Sequence, residues 1–272
     1  KEVDKVTRMD DFKGYISDIG GPSANMYGMK GYQQEICKKC KRPSCIFPSI
    51  CKNLDTSHKS LIGLYQKVRN HPQVKKAFIG SGIRYDLFLG KSGNEETDTV
   101  NRQYLREVIR HHVSGRLKVA PEHTSNQVLQ LMRKPSFALF KELNRQFRMI
   151  NREEQLNQQL IPYFISGHPG SKPENMAELA VQTKRLDFKL EQVQDFTPTP
   201  MTLATEIYYS GYHPYTLEKV FTAHSLVQRE KQRQFFFWYK KEYQKNIMQE
   251  LKNMGRNDLI KELLEGKGKP EY

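Results

Sequence analysis

The chain has 272 residues, 37% of them hydrophobic and 27% charged, with a formal net charge of +14. That length allows one large domain or two small ones with a buried core. Compact runs of Phe, Tyr, Ile, Leu and Val argue against disorder, no apolar run approaches the roughly 18 residues of a membrane span, and no secretory signal opens the chain.

These exclusions lead us to expect a cytoplasmic protein without a membrane segment. The positive charge invites a nucleic-acid partner. The basic residues are, however, spread along the chain with no RNA-binding signature of interleaved aromatics, so nucleic acid stays open as a partner without being favoured.

Taken in chain order, "YISDIG" (15–20) reads as the first strand. A cysteine-rich insertion over 28–57 follows, and then "SLIGLYQKVRN" (60–70) as a helix, "KAFIGSG" (76–82) as a strand and "VNRQYLREVIRHH" (100–112) as a helix. The strand "GRLKVA" (115–120), the helix "FALFKELNRQFRMI" (137–150), the strand "LIPYFIS" (160–166), the helix "NMAELAVQTKRL" (175–186) and the strand "FKLEQVQDF" (188–196) continue the alternation. The helices carry apolar residues at i, i+3, i+4 spacing. Several strands are apolar at consecutive positions, as in a parallel sheet buried on both faces. Repeated βα units predict an α/β fold with a parallel sheet or barrel over residues 1–200.

After Pro200 the alternation stops. Residues 201–272 read as a mainly helical extension, with "FFFWY" (235–239) in its core and "EGKGKPEY" as a frayed tail.

All four cysteines fall between Cys37 and Cys51, in "CKKCKRPSCIFPSIC", spaced C-x2-C-x4-C-x5-C. Four thiolates suit tetrahedral zinc or an iron–sulfur cluster, and in a reducing compartment clustered thiols favour metal over disulfide. The spacing fits neither standard template closely, and free or disulfide thiols are the remaining reading. Lys38, Lys39, Lys41 and Arg42 offset the negative charge of such a site, and Pro43 and Pro48 stiffen its loop. Cys37, Cys40, Cys45 and Cys51 are therefore candidate metal ligands, holding zinc or an auxiliary cluster in a loop after the first strand, where α/β proteins place their sites.

Five strand-end motifs occur in order: "SDIGGPSANMYG" (17–28), "SGIRYDL" (81–87), "KVAPEHT" (118–124), "IPYFISGHPG" (161–170) and "QVQDFTPTP" (192–200). Together they closely resemble the YgiQ-type radical-SAM proteins, iron–sulfur oxidoreductases of uncertain reaction, from about residue 10 to 265. The resemblance implies a partial TIM-like (β/α) barrel that holds S-adenosylmethionine and a [4Fe–4S] cluster at the strand carboxyl ends. In the full-length protein it implies reductive cleavage of S-adenosylmethionine to a 5′-deoxyadenosyl radical, which takes hydrogen from an unknown substrate. A flavodoxin or ferredoxin would supply the electron. The family's cluster motif, C-x3-C-x2-C, is absent, and its place lies before "DIGGP". The chain is thus expected to be a C-terminal fragment, with "KEVDKVTRMDDFKG" closing a first helix, and to be inactive alone.

On this resemblance Gly20 and Gly21 approach the methionyl part of the cofactor, with Pro22 where the family usually carries glutamate. Glu122 meets its ammonium or ribose, with His123 beside it; Gly167 and Gly170 wrap the adenine region, and Thr197, Pro198 and Thr199 reach adenine. Each has a plainer explanation: turn glycines, a solvated carboxylate, and strand-ending prolines. Glu174 at a helix start answers to the helix dipole, and Arg84 and Asp86 either pair with each other or meet substrate. No catalytic residue is assigned. Two other readings stand: an RNA-modification enzyme, and a zinc-stabilised interaction module built on the helical tail.

Overall fold

The computed structural model describes residues 1–21 and 25–265. Pro22, and the tail beyond Glu265, lie outside the described residues. In chain order the elements are α1 (Glu2–Val6), β1 (Tyr15–Ile16), α2 (Gln34–Lys39), α3 (Lys59–Arg69), β2 (Lys76–Ala77), α4 (Asp86–Leu89) and α5 (Glu95–Glu107). They continue with β3 (Arg116–Glu122), α6 (Asn126–Leu131), α7 (Phe137–Glu153), β4 (Gln159–Ser166), α8 (Pro173–Arg185) and β5 (Gln192–Asp195), and end with α9 (Leu203–Ser210), α10 (Leu226–Arg233), α11 (Lys241–Asn253) and α12 (Asn257–Ile260). All five predicted strands and all four predicted helices thus find a counterpart.

The chain divides into two compact units, Lys1–Ala120 with Ala138–Ile161, and Pro121–Phe137 with the residues from Pro162 on. In the first, β1 and β2 pair in parallel, Tyr15 opposite Lys76 and Ile16 opposite Ala77. Strands β3, β4 and β5 form a separate three-stranded sheet in that order. Strand β5 runs parallel to β4, from Tyr163 opposite Gln192 to Ser166 opposite Asp195. The fold is therefore α/β with small parallel sheets, and the described residues show no closed barrel. No helix among them is long and apolar enough to cross a membrane.

Strand β1 is shorter than the sequence predicts, and Asp18 supplies the reason. Beyond Ile16 its carboxylate accepts the amides of Gly20 (2.8 Å) and Gly80 (3.0 Å) and the hydroxyl of Ser81 (2.5 Å). A side chain thereby takes hydrogen bonds that a ladder would otherwise make. Burial alone would raise the Asp18 pKa, but the hydrogen bonds from Ser81, Gly20 and Gly80 outweigh it and lower the pKa.

Helix α5 starts five residues before the predicted 100–112 segment. Asn94 caps it by accepting the Thr97 amide (3.0 Å), and Glu95, Glu96 and Asp98 complement the helix dipole. The same segment buries Tyr104 beside His58, with ring centroids 4.2 Å apart. His58 donates through Nδ1 to Asn101 Oδ1 (2.7 Å) and accepts at Nε2 from Asn25 (2.8 Å). Asn25 in turn accepts the amide of Arg84 (2.6 Å), so this buried network fixes the loops after β1 and β2.

In the second unit Phe235 and Phe236 are fully buried, as the sequence predicts for "FFFWY", in a 3-10 turn that follows α10. Ser225 and Gln228 form a reciprocal capping box that starts α10, and Gly211 at φ 73 ends α9. Phe164 of β4 is fully buried with its ring centroid 6.3 Å from that of Phe137. Truncating Phe164 to Ala should cost about 3–5 kcal/mol in urea unfolding. Truncating exposed Tyr215 to Ala should stay within about 0.5 kcal/mol.

Candidate functional site: a charged cleft in the second unit

The second unit contains a cleft of about 580 Å³ at the ends of its strands, lined by Glu122, Arg133, Lys134, His168, Asp195, Phe196, Thr197, Thr199 and Met201 among others. Its walls begin where β3 stops at Glu122, β4 at Ser166 and β5 at Asp195. Three wall residues hold left-handed backbone without being glycine: Glu122 (φ 66), Arg133 (φ 55) and Met201 (φ 64). Such conformations are uncommon for side chains with a Cβ and gather at functional sites.

Glu122 lies largely buried in this wall. Its Oε1 meets Lys134 Nζ at 3.1 Å, whereas its Oε2, also buried, has no hydrogen-bond partner among the described residues. Burial raises the Glu122 pKa, and the charge of Lys134 and its hydrogen bond oppose that rise without cancelling it. On the opposite side Asp195 accepts the Ser166 hydroxyl at 2.5 Å and pairs with Arg233 at 2.8 Å. The cleft therefore presents one satisfied carboxylate and one carboxylate with an oxygen in want of a donor.

The turn after β4 is fixed from beneath. His123 accepts the amides of Thr124 (2.9 Å) and Ser125 (3.0 Å) at Nδ1, which leaves Nε2–H to donate to Ser171 Oγ (3.2 Å). Ser171 donates to Gln232 Oε1 (3.2 Å), which also accepts the Gly167 amide (2.9 Å), and Gln232 Nε2 donates back to the Ser171 carbonyl (2.7 Å). His168, on the same turn, donates through Nδ1 to the Pro169 carbonyl (2.8 Å) and sets its ring edge against Phe196. Burial, with the neighbouring His168 adding to it, pushes His123 down to about 3, and burial pushes His168 down to about 4.

The structure sorts the predicted residues. Glu122 and Thr197 line the cleft, Pro198 follows Thr197, and Gly167 and Gly170 flank His168. Gly170 is needed for its φ of 85 and because a Cβ would strike Leu131, which is a packing reason. Thr197 directs its hydroxyl to the Asp195 carbonyl (3.4 Å). Gly20 and Gly21 belong to the first unit, where a Cβ on Gly20 would crowd Asp18 and Ser81 and one on Gly21 would meet nothing within 4 Å. Arg84 and Asp86 pair with each other at 2.5 Å, and Glu174 sits in the first turn of α8.

Cys37, Cys40, Cys45 and Cys51 are free thiols in the first unit. Among the described residues no group of three or more His, Cys, Asp or Glu side chains is arranged to hold a metal ion. Sequence reading missed Lys134, Ser171 and Gln232. Only the lysine, in "RKPS" just past a short helix, left a local trace; the other two are joined across 61 positions by the fold.

Two outcomes follow. In the unfolded chain His123 and His168 take up protons near the ordinary value of 6.5, whereas in the folded chain they resist doing so. Their contribution to stability is thus complete above about pH 6.5 and is lost progressively as the pH falls toward about 4 for His168 and about 3 for His123. The urea midpoint of the second unit should decline over that range, and a flat midpoint would contradict the buried neutral pair. Replacing Gln232 with Ala should destabilise the second unit by about 1–3 kcal/mol, because it leaves the buried Gly167 amide and Ser171 hydroxyl unpaired; near-neutral unfolding data would show the network to be dispensable.

Comparison with known proteins shows what the chain is similar to. Residues 191–267 match the family described as "Domain of unknown function (DUF3362)". A "UPF0313 protein" of Bacteroides thetaiotaomicron is 63% identical over 262 residues, covering 96% of this chain and 42% of that protein. One of Porphyromonas gingivalis is 56% identical over 97% of the chain and 42% of its own length, and one of Methanocella arvoryzae 41% identical over 96% and 42%. UPF0313 is the YgiQ-type family. Along nearly its whole length the chain matches UPF0313 proteins at high identity, and it spans 42% of the length of these curated relatives.

Proposed function

We propose that the chain is part of a radical-SAM iron–sulfur oxidoreductase of the YgiQ type, and that the cleft of the second unit receives part of S-adenosylmethionine. The observation that carries this reading is the buried Glu122 Oε2, unpaired in the wall of the cleft. An ammonium or ribose hydroxyl supplies the donor that oxygen lacks, and a charge-assisted bond is the strong kind. Thr197 and Thr199 offer hydroxyl and backbone groups across the cleft, and the Gly167–Ser171 turn keeps its wall fixed.

When bound, the cofactor supplies the means of taking a hydrogen atom from a substrate. This chain's residues would bind and orient it: Glu122 holds a cationic or hydroxyl group, Lys134 keeps the carboxylate in place, and the neutral His168 closes the floor without adding charge. The residues present do not fit the catalytic [4Fe–4S] cluster, because the C-x3-C-x2-C set is not in this sequence. On this reading a flavodoxin- or ferredoxin-type donor is the partner of the whole protein, and the helical extension after residue 200 is described as far as Glu265.

Isothermal titration of the chain with S-adenosylmethionine, beside Glu122→Gln, tests the proposal. Losing a hydrogen bond to a charged group costs about 1.5–3 kcal/mol, so the variant should bind about 10- to 150-fold more weakly with unchanged circular dichroism. Equal affinities, or no binding by the folded chain at millimolar cofactor, would overturn it.

A further inference from the structure

Between Met26 and Asp55 no side chain is buried. A segment of this length without a core of its own needs a staple. Hydrogen bonds close its base: Gly31 bridges Leu54, Tyr32 N–H meets the Asn53 carbonyl (2.8 Å), and the Asn53 side chain exchanges bonds with the Gln33 backbone (2.9 and 3.0 Å). The four cysteines sit inside that closure, and the backbone already pairs them. The Cys40 amide donates to the Cys37 carbonyl (3.2 Å), and the Cys51 amide donates to the Cys45 carbonyl (2.7 Å).

Two sulfurs also receive N–H donors. The Arg42 amide points to Cys40 Sγ at 3.4 Å, two residues on, and Asn53 Nδ2 to Cys37 Sγ at 3.2 Å. Asn53 lies two residues past Cys51, so it links the first cysteine pair to the second. Donors aimed at sulfur stabilise thiolate ligands from outside the metal. The guanidinium of Arg42 reaches the carbonyls of Phe47 and Ser49 and ties the halves of the loop together. Lys39 and Lys41 add positive charge around a site whose four thiolates exceed the charge of one divalent ion by two, while Lys38 pairs with Glu35 at 2.6 Å.

We propose that Cys37, Cys40, Cys45 and Cys51 bind one zinc ion tetrahedrally and that this metal supplies the loop's missing core. Among the described residues the thiols are not gathered round one point; zinc would draw them together on a backbone that already pairs Cys37 with Cys40 and Cys45 with Cys51. Zinc is chosen over an iron–sulfur cluster because Cys37, Cys40 and Cys45 are exposed to solvent. The site stands independently of the cofactor reading.

The test is metal analysis of the chain purified without added metal, with thiol titration before and after a strong chelator. The expected result is one zinc per chain, four thiols that react only after chelation, and loss of the zinc in both Cys40→Ser and Cys51→Ser. Cobalt(II) should then give the visible bands of a tetrahedral thiolate site. A metal-free chain with four freely reactive thiols would overturn the proposal. So would iron with inorganic sulfide, or two disulfides in place of the thiols.

Discussion

A carboxylate held in a low-dielectric wall with one oxygen paired and the other without a donor is the constraint on which the second unit turns. Glu122 reaches this position because β3 ends on it in a left-handed conformation, which turns the chain out of the sheet and into α6. The helix is short, and its exit through Arg133, also left-handed, returns Lys134 to Glu122. One ion pair thus closes the strand–helix connection on itself, and the uncompensated oxygen remains. Burying such an oxygen unpaired is unfavourable in the free protein, and a donor brought by a ligand relieves it.

The surrounding polar groups reinforce that reading because they are satisfied. Asp195 is occupied by Ser166 and Arg233, and His123, Ser171 and Gln232 saturate one another with directions fixed by the backbone amides they meet. Gln232 lies in the region that matches a domain of unknown function, so one task of that region is visible here: it braces the turn at the end of β4. Among the described residues that line the cleft, Glu122 Oε2 is the buried carboxylate oxygen left without a donor.

Much of the architecture was legible because it rests on local patterns. The apolar runs at β3 and β4 and the helical spacing in α3, α5, α7 and α8 are read directly from neighbouring residues, and the elements fall where those patterns place them. The length of β1 was not legible, because Asp18 ends it through contacts with Gly80 and Ser81 more than sixty positions away. The division into two sheets was hidden for a similar reason: alternation tells that strands are parallel and says nothing about which strands share an edge. Of the candidate site, Glu122 and Thr197 came from motifs, whereas Gln232 carries no signal in its own neighbourhood. The cysteine cluster was obvious as a sequence and is the place where the fold says least, since a loop without buried side chains has only hydrogen bonds to shape it.

The most direct measurement is a crystal structure of the chain soaked with S-adenosylmethionine. The account predicts ligand density in the cleft of the second unit, with an amino or hydroxyl group within hydrogen-bond distance of Glu122 Oε2 and the Glu122–Lys134 pair intact. Density elsewhere on the chain, with Glu122 contacted by Lys134 alone, would contradict it.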